Sequence, residues 1–384
     1  MPAMHVISRG MILRLLPLLP FFALAAGAAT TPAPAPTDIY APGRAVVAEI
    51  DKIVTPKGVD KTFIATLGGA RQVVNVRGAD RNNPILIFVH GGPGAVEMPV
   101  AWAFQRPWED YFTVVEWDQR GAGRSYLLED PEKIGPTLSL ERYRDDTIEL
   151  IGLLLKRYGQ RKVFLLGHSW GSAVGLSVAI KRPDLLYAYI GVGQTIDFRE
   201  NERVGYAWTL DEARKAQNAQ AVKELEAIAP YPGQGVLVLE KTDVERKWSV
   251  YYGALAAYRH DADFYYHAAR LSPLYTTADR KAWDDGSAFT IKILWPKLAD
   301  TSFEDVTHVG TPVIFFLGRH DYTCPWPIAE AWMKKLSAPK KQIVWFENSA
   351  HLPMIEEPGR VFAALIETVR PLALQAGSRS FRSD

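Results

Sequence analysis

The chain alternates between short, almost wholly apolar runs and longer segments whose apolar residues recur every third or fourth position. Residues 84–89 (Pro-Ile-Leu-Ile-Phe-Val) carry no polar side chain, the pattern of a strand covered on both faces. Similar runs recur at 113–117, 163–166, 187–192, 312–317 and 342–346. Ahead of them, β-rich runs at 46–54, 62–67 and 71–76 predict an antiparallel opening to a sheet. Helical patterns lie between the runs. Ser139 is placed to cap a helix whose apolar side follows Tyr143, Ile148, Ile151, Leu154, Leu155 and Tyr158, with Gly159 ending it. Others fall near 172–181, 329–336 and 360–370. Strands alternating with helices predict an α/β fold, a mostly parallel central sheet with helices on both faces.

One stretch departs from this alternation. Between 194 and 309 no buried-strand run occurs, helical patterns dominate (210–229, 243–259 and 261–270), and aromatic residues are dense. The expected organisation is a core of residues 45–194 and 306–375, with a helical cap, 195–305, inserted over the sheet. At the N-terminus, Arg9 and Arg14 precede an apolar run over 15–26, and Ala26-Gly27-Ala28 follows with small-x-small spacing. This predicts a signal peptide over 1–28, cleaved near Ala28–Ala29, and an exported protein, periplasmic or secreted. About 12 apolar residues are too few to span a bilayer comfortably, so no stable membrane insertion is expected after processing. Residues 29–44, with Pro32, Pro34, Pro36 and Pro42, read as an extended tether.

Composition narrows the function classes. Among 384 residues, 44 Lys and Arg against 43 Asp and Glu give a net charge of +1, so no basic footprint for nucleic acid is present. The single cysteine, Cys324, excludes an intrachain disulfide and a Cys-rich zinc or iron–sulfur site. No H-E-x-x-H, calcium-loop or phosphate-loop pattern occurs, so no metal or cofactor is expected.

Candidate chemistry sits where buried strands end. The run 163–166 leads into Gly167-His168-Ser169-Trp170-Gly171 and then a helix, a G-x-S-x-G pattern in strand–turn–helix setting. Its glycines let strand and helix approach closely while the serine takes a strained backbone. After the strand 84–89 comes His90-Gly91-Gly92-Pro93-Gly94. A serine nucleophile creates an oxyanion that backbone N–H groups must meet; Trp170 supplies one, and Gly92 the other, with Gly91 as the alternative. His90 is expected to hold this loop rather than act as a base. His168 is expected to turn away from Ser169 as an ordinary solvated or core histidine. The strand 312–317 ends at Asp321, and 342–346 is followed by His351. The order Ser169, Asp321, His351 is that of an α/β-hydrolase, with His351 as base and Asp321 orienting it.

Together with Asp118-Gln119-Arg120-Gly121-Ala122-Gly123-Arg124-Ser125, these motifs resemble the proline iminopeptidase-like serine peptidases of the α/β-hydrolase fold. The resemblance covers roughly 45–195 and 305–370. It implies removal of an N-terminal residue, typically proline, with carboxylates of a helical cap holding the substrate's free amine. Where proline-specific members carry W-x-x-W-E, this chain has Trp248-Ser249-Val250-Tyr251-Tyr252, with tyrosine in place of the glutamate. Glu200, Glu202, Glu240 and Glu245 are alternative carboxylates, and Glu202 is favoured because it opens the cap near the nucleophile. Trp248 and Tyr252 are expected among the apolar walls of the substrate site. Asp118 and Arg120 are expected to build a rigid loop rather than to react. Three readings follow from the sequence: an aminopeptidase, a carboxylic-ester hydrolase with the same triad, or a non-catalytic binding protein of the same fold. The expected partner is a small peptide or ester substrate.

Overall fold

The computed structural model describes the backbone of residues 38–380 and side chains through residue 376. The expected signal peptide and most of the tether lie outside the described residues. From Tyr40 onward the chain forms one compact unit.

Its centre is an eight-stranded sheet of β1 (Val59–Leu67), β2 (Ala70–Gly78), β3 (Ile85–Val89), β4 (Thr113–Asp118), β5 (Val163–His168), β6 (Leu186–Val192), β7 (Val313–Gly318) and β8 (Lys341–Phe346), in the order β1-β2-β4-β3-β5-β6-β7-β8. β1 pairs antiparallel with β2, and β2 with β4; from β4 to β8 every neighbouring pair is parallel. The apolar runs become strands because both faces are covered. Ile85, Ile87 and Val89 pack into one layer with Val163, Leu165, Val313, Phe315 and Leu317. Leu86 and Phe88 pack into the opposite layer with Phe164, Leu166, Ile314 and Phe316. Each strand thus feeds two cores through its period of two.

Helices cover the faces. Ser139 accepts a hydrogen bond from the Arg142 N–H and opens the Leu140–Tyr158 helix; Gly159 closes it at φ +65°. The Trp170–Lys181 helix follows β5 directly. The predicted strand over 46–54 is corrected: residues Ala41–Ile50 are helical. Pro42 sits in the first turn, where its missing N–H has no partner to lose, and Ala45, Val47, Ala48 and Glu49 continue the helix instead of pairing with the sheet edge. The extended tether therefore ends before Ala41.

Between β6 and β7 the chain is helical: Phe198–Lys215, Ala219–Ala227, Leu239–Tyr251, Asp263–Ala268 and Thr277–Leu294. The last of these starts at a capping box in which Thr276 and Asp279 satisfy each other's backbone N–H groups. No described helix is long and apolar enough to cross a membrane.

Candidate active site

β3 is the switch point of the sheet, since the chain moves to β4 on one side and returns to β5 on the other. Crevices at the carboxyl ends of such strands are where open α/β sheets bind ligands. The loops after β3, β5, β7 and β8 meet there.

Ser169 has φ +55° and ψ −122°, a backbone conformation that costs energy for a non-glycine residue. Its neighbours make it feasible. A Cβ on Gly171 would collide with the Val89 carbonyl, and one on Gly167 with the Gly171 carbonyl, so only glycine lets the helix start against β3 and β5. The Ser169 N–H donates to the Val192 carbonyl (2.9 Å), anchoring the turn to β6. Trp170 is the first residue of its helix, so its N–H has no intrahelical acceptor and carries the positive end of the helix dipole. Gly92, at φ +111°, lines the same cavity as Ser169 and Trp170. Gly91 abuts Ser169: a Cβ there would stand 3.1 Å from the serine Cβ.

His351 Nδ1 lies 2.8 Å from Asp321 Oδ2, and the second Asp321 oxygen accepts the Cys324 N–H at 2.8 Å. Both side chains are buried. Burial outweighs the attraction of Asp321 and holds the His351 pKa below its ordinary 6.5. A Cβ on Gly193, the residue following the Ser169 acceptor Val192, would reach the His351 ring at 2.7 Å, so the nucleophile turn and the histidine share one corner. The His351 loop is clamped by Glu356, which accepts the N–H groups of Ala257, Ala350 and Leu352 (2.6–3.0 Å at the closest oxygens) and is pushed by burial up to about 7. Cys324 stands in the cavity wall beside Thr195 (3.2 Å), and burial raises its thiol to about 12, so it is neutral.

The frame around the glycine loop is built from far-apart residues. Gln119 donates to the His90 carbonyl (3.0 Å) and accepts from the Trp170 indole (3.3 Å). His90 bonds the Gly91 carbonyl and accepts the Gln119 N–H. Arg120 pairs with Asp146 (2.8 Å) and Asp118 accepts the Arg124 N–H (3.0 Å), so both are structural.

A cavity of about 120 Å³ opens from Ser169 toward the helical segment, with walls that include Phe198, Trp295, Glu202, Asp243 and Arg246. Glu202 therefore reaches the site, but its carboxylate is held by Arg246 and by the Tyr231 hydroxyl. Arg246 also pairs with Glu245, whose carboxyl burial pushes above the usual range against the pull of that guanidinium. Glu200 pairs with Arg203 on the surface. Asp243 is the cavity carboxylate exposed to solvent; only its helical phase marks it along the chain.

Trp248 and Tyr252 are corrected. Along the Leu239–Tyr251 helix, Leu239, Thr242, Asp243 and Arg246 fall on one face and line the cavity. Val244, Trp248 and Tyr252 fall on another and pack with Ala213, Ala221 and Leu225 in the segment's own core. The aromatic walls are Phe198 and Trp295 instead. His168, expected to be an ordinary solvated or core histidine, bridges Glu97 and the His351 carbonyl.

Comparison with known proteins agrees with this architecture. The family described as the alpha/beta hydrolase fold matches residues 84–358. The chain is 31% identical over 304 residues to the probable aminopeptidase YbaC of Bacillus subtilis (strain 168), covering 76% of this chain and 91% of that one. It shares its fold with the proline iminopeptidase of Mycobacterium smegmatis (TM-score 0.59, 18% identity, 82% of this chain and 100% of that one). It shares it also with a thermophilic esterase from Thermogutta terrifontis (TM-score 0.52, 20% identity, 81% and 99%). With a parallel sheet that carries the G-x-S-x-G turn at its switch point and a family match over most of its length, this chain belongs to the alpha/beta hydrolase fold family.

Proposed function

We propose that the protein is an exported serine hydrolase that releases a small, proline-like N-terminal residue from peptides through an acyl-enzyme on Ser169. The observation that carries this reading is the strained serine beside a buried His351–Asp321 pair, opening on a small cavity with carboxylates in its wall. Ser169 Oγ attacks the acyl carbonyl while His351 takes its proton, and Asp321 holds the imidazole and stabilises its charged form. The Trp170 and Gly92 N–H groups meet the oxyanion. His351 then returns the proton to the leaving amine, and water repeats the sequence to free the acid.

Cavity size sets the substrate class. A space of about 120 Å³ is somewhat smaller than the roughly 150 Å³ cavity that accepts a benzene ring. A pyrrolidine ring or a short side chain suits it, and Phe198 and Trp295 give that ring apolar walls. Asp243 provides negative charge for the free amine, while Glu202 in the same wall is already paired with Arg246. The ester-hydrolase reading draws on one observation: Arg246 already neutralises Glu202, which lowers the demand for a cationic substrate.

A panel of prolyl and alanyl anilides with free and blocked amines, alongside short nitrophenyl esters, tests the assignment. Free-amine anilides should be the best substrates. Preference for blocked amines or simple esters overturns the aminopeptidase reading in favour of the esterase. Export is tested by mass spectrometry of protein recovered outside the cytoplasm, which should begin near Ala29; retention of Met1 there overturns the cleavage site.

A further inference from the structure

Two buried histidines flank the nucleophile turn, and their neighbours differ in kind. His90 Nε2 accepts the Gln119 N–H (3.1 Å) and its Nδ1 faces the Gly91 carbonyl (3.0 Å). One donor and one acceptor suit a neutral ring, and burial pushes the His90 pKa down to about 4. His168 faces two acceptors. Its Nδ1 is 3.0 Å from Glu97 Oε1, and its Nε2 is 2.9 Å from the His351 main-chain oxygen. A neutral imidazole has only one N–H, so it would leave one of these contacts as acceptor against acceptor in a site without access to solvent.

The other carboxylate oxygen of Glu97 accepts the Tyr265 hydroxyl at 2.6 Å, which favours the anion and completes a chain from the Asp263–Ala268 helix to His351. We propose that His168 is an imidazolium ion-paired with Glu97, and that this pair positions the main chain of His351. Glu97 and His168 are then positioning residues. The inference rests on the reading of His351 as the base.

The electrostatic surroundings agree. Burial opposes charge on His168, but the hydrogen bond and charge of Glu97 outweigh it and raise the pKa. Asp321 and the His351 carbonyl act in the same direction. His90, on the β3 loop, is kept neutral by burial and adds no opposing charge. On the far side of Glu97 stand Tyr265, Tyr266 and Glu116 of β4, the last with its carboxyl pushed well up by burial. Arg246 acts on His351 from the helical segment. The His168 and His351 rings lie 4.8 Å apart, so two charged imidazoles would repel; a charged His168 helps keep the base neutral until it takes a proton from serine.

Nitrogen NMR of the full chain tests the charge without any substitution. At pH 7.5 both ring nitrogens of His168 should resonate in the imidazolium range, and a neutral-ring pattern overturns the proposal. Positioning is tested by the rate at which a fluorophosphonate labels Ser169 in wild type and in Glu97→Gln, across pH 5 to pH 8. Without its counter-ion, burial holds the pKa of the ring below its ordinary value, so labelling at pH 8 should be about 10- to 100-fold slower than wild type. That deficit should shrink toward the acid end of the range, where the ring regains its proton. A deficit that does not change with pH, or none, overturns the positioning role. If wild type takes no label, the Ser169 reading falls, and the nitrogen spectrum still decides the charge on His168.

Discussion

The loops at the strand ends and the helical segment above them both contribute to one cavity, yet they are built by different physics. At the strand ends, chemistry is dictated by backbone: glycine sterics force the Ser169 turn, and β7 and β8 run parallel in register to deliver Asp321 and His351 side by side. In the helical segment, chemistry is dictated by side-chain partners. Glu202 lines the cavity but is buried and paired with Arg246, a residue 44 positions later, which also holds Glu245. A functional group fixed by backbone is legible from its neighbours in sequence. A group whose charge depends on distant partners is not.

The sharpest way to break this comparison is at the strand ends. Ser169→Ala should lower turnover by at least about 10,000-fold with an unchanged circular dichroism spectrum, since the triad acts as a unit. Activity within tenfold of wild type would remove Ser169 from the chemistry. In the helical segment the expected loss is of stability. Arg246→Met leaves Glu202 and Glu245 without their cation and should cost about 3–5 kcal/mol in denaturant unfolding. A loss under 1 kcal/mol would mean that the carboxylates are neutral without it.

Asp243→Asn acts at the wet edge of the cavity. It should weaken free-amine substrates against neutral esters by about 1 kcal/mol, roughly fivefold, and leave stability unchanged. Equal effects on both substrates would make Asp243 a bystander. The smallest effect is in the pH profile. Protonation of His351 removes the base, so kcat/KM falls as pH drops, and its lowered pKa puts the midpoint of that acid limb below 6.5. A midpoint at or above 6.5 would contradict the burial argument.

Most of the fold was readable in advance, because a strand covered on both faces must be apolar throughout and a helix must repeat near 3.6 residues. The failures have local causes. Residues 46–54 are rich in β-branched side chains, but Val46 and Ile50 are exposed on a helix, and β1 at the sheet edge pairs with β2 rather than with them. The Thr277–Leu294 helix starts at a polar cap, and its buried side runs through Ala282, Gly286, Thr290 and Leu294, where glycine and threonine interrupt the apolar signal. Trp248 and Tyr252 were misplaced because aromatic residues signal burial without saying in which core.

By itself the sequence determined the sheet, the serine turn, and the order in which Ser169, Asp321 and His351 follow their strands. These depend on short-range sterics and periodicity, which are complete within a few residues. The tertiary structure alone decided which charges are paired, which face of the Leu239–Tyr251 helix meets the cavity, and that His168 meets Glu97, 71 positions away. Ionisation and recognition follow the local dielectric and the partners within a few ångströms, and both exist only once the chain has packed.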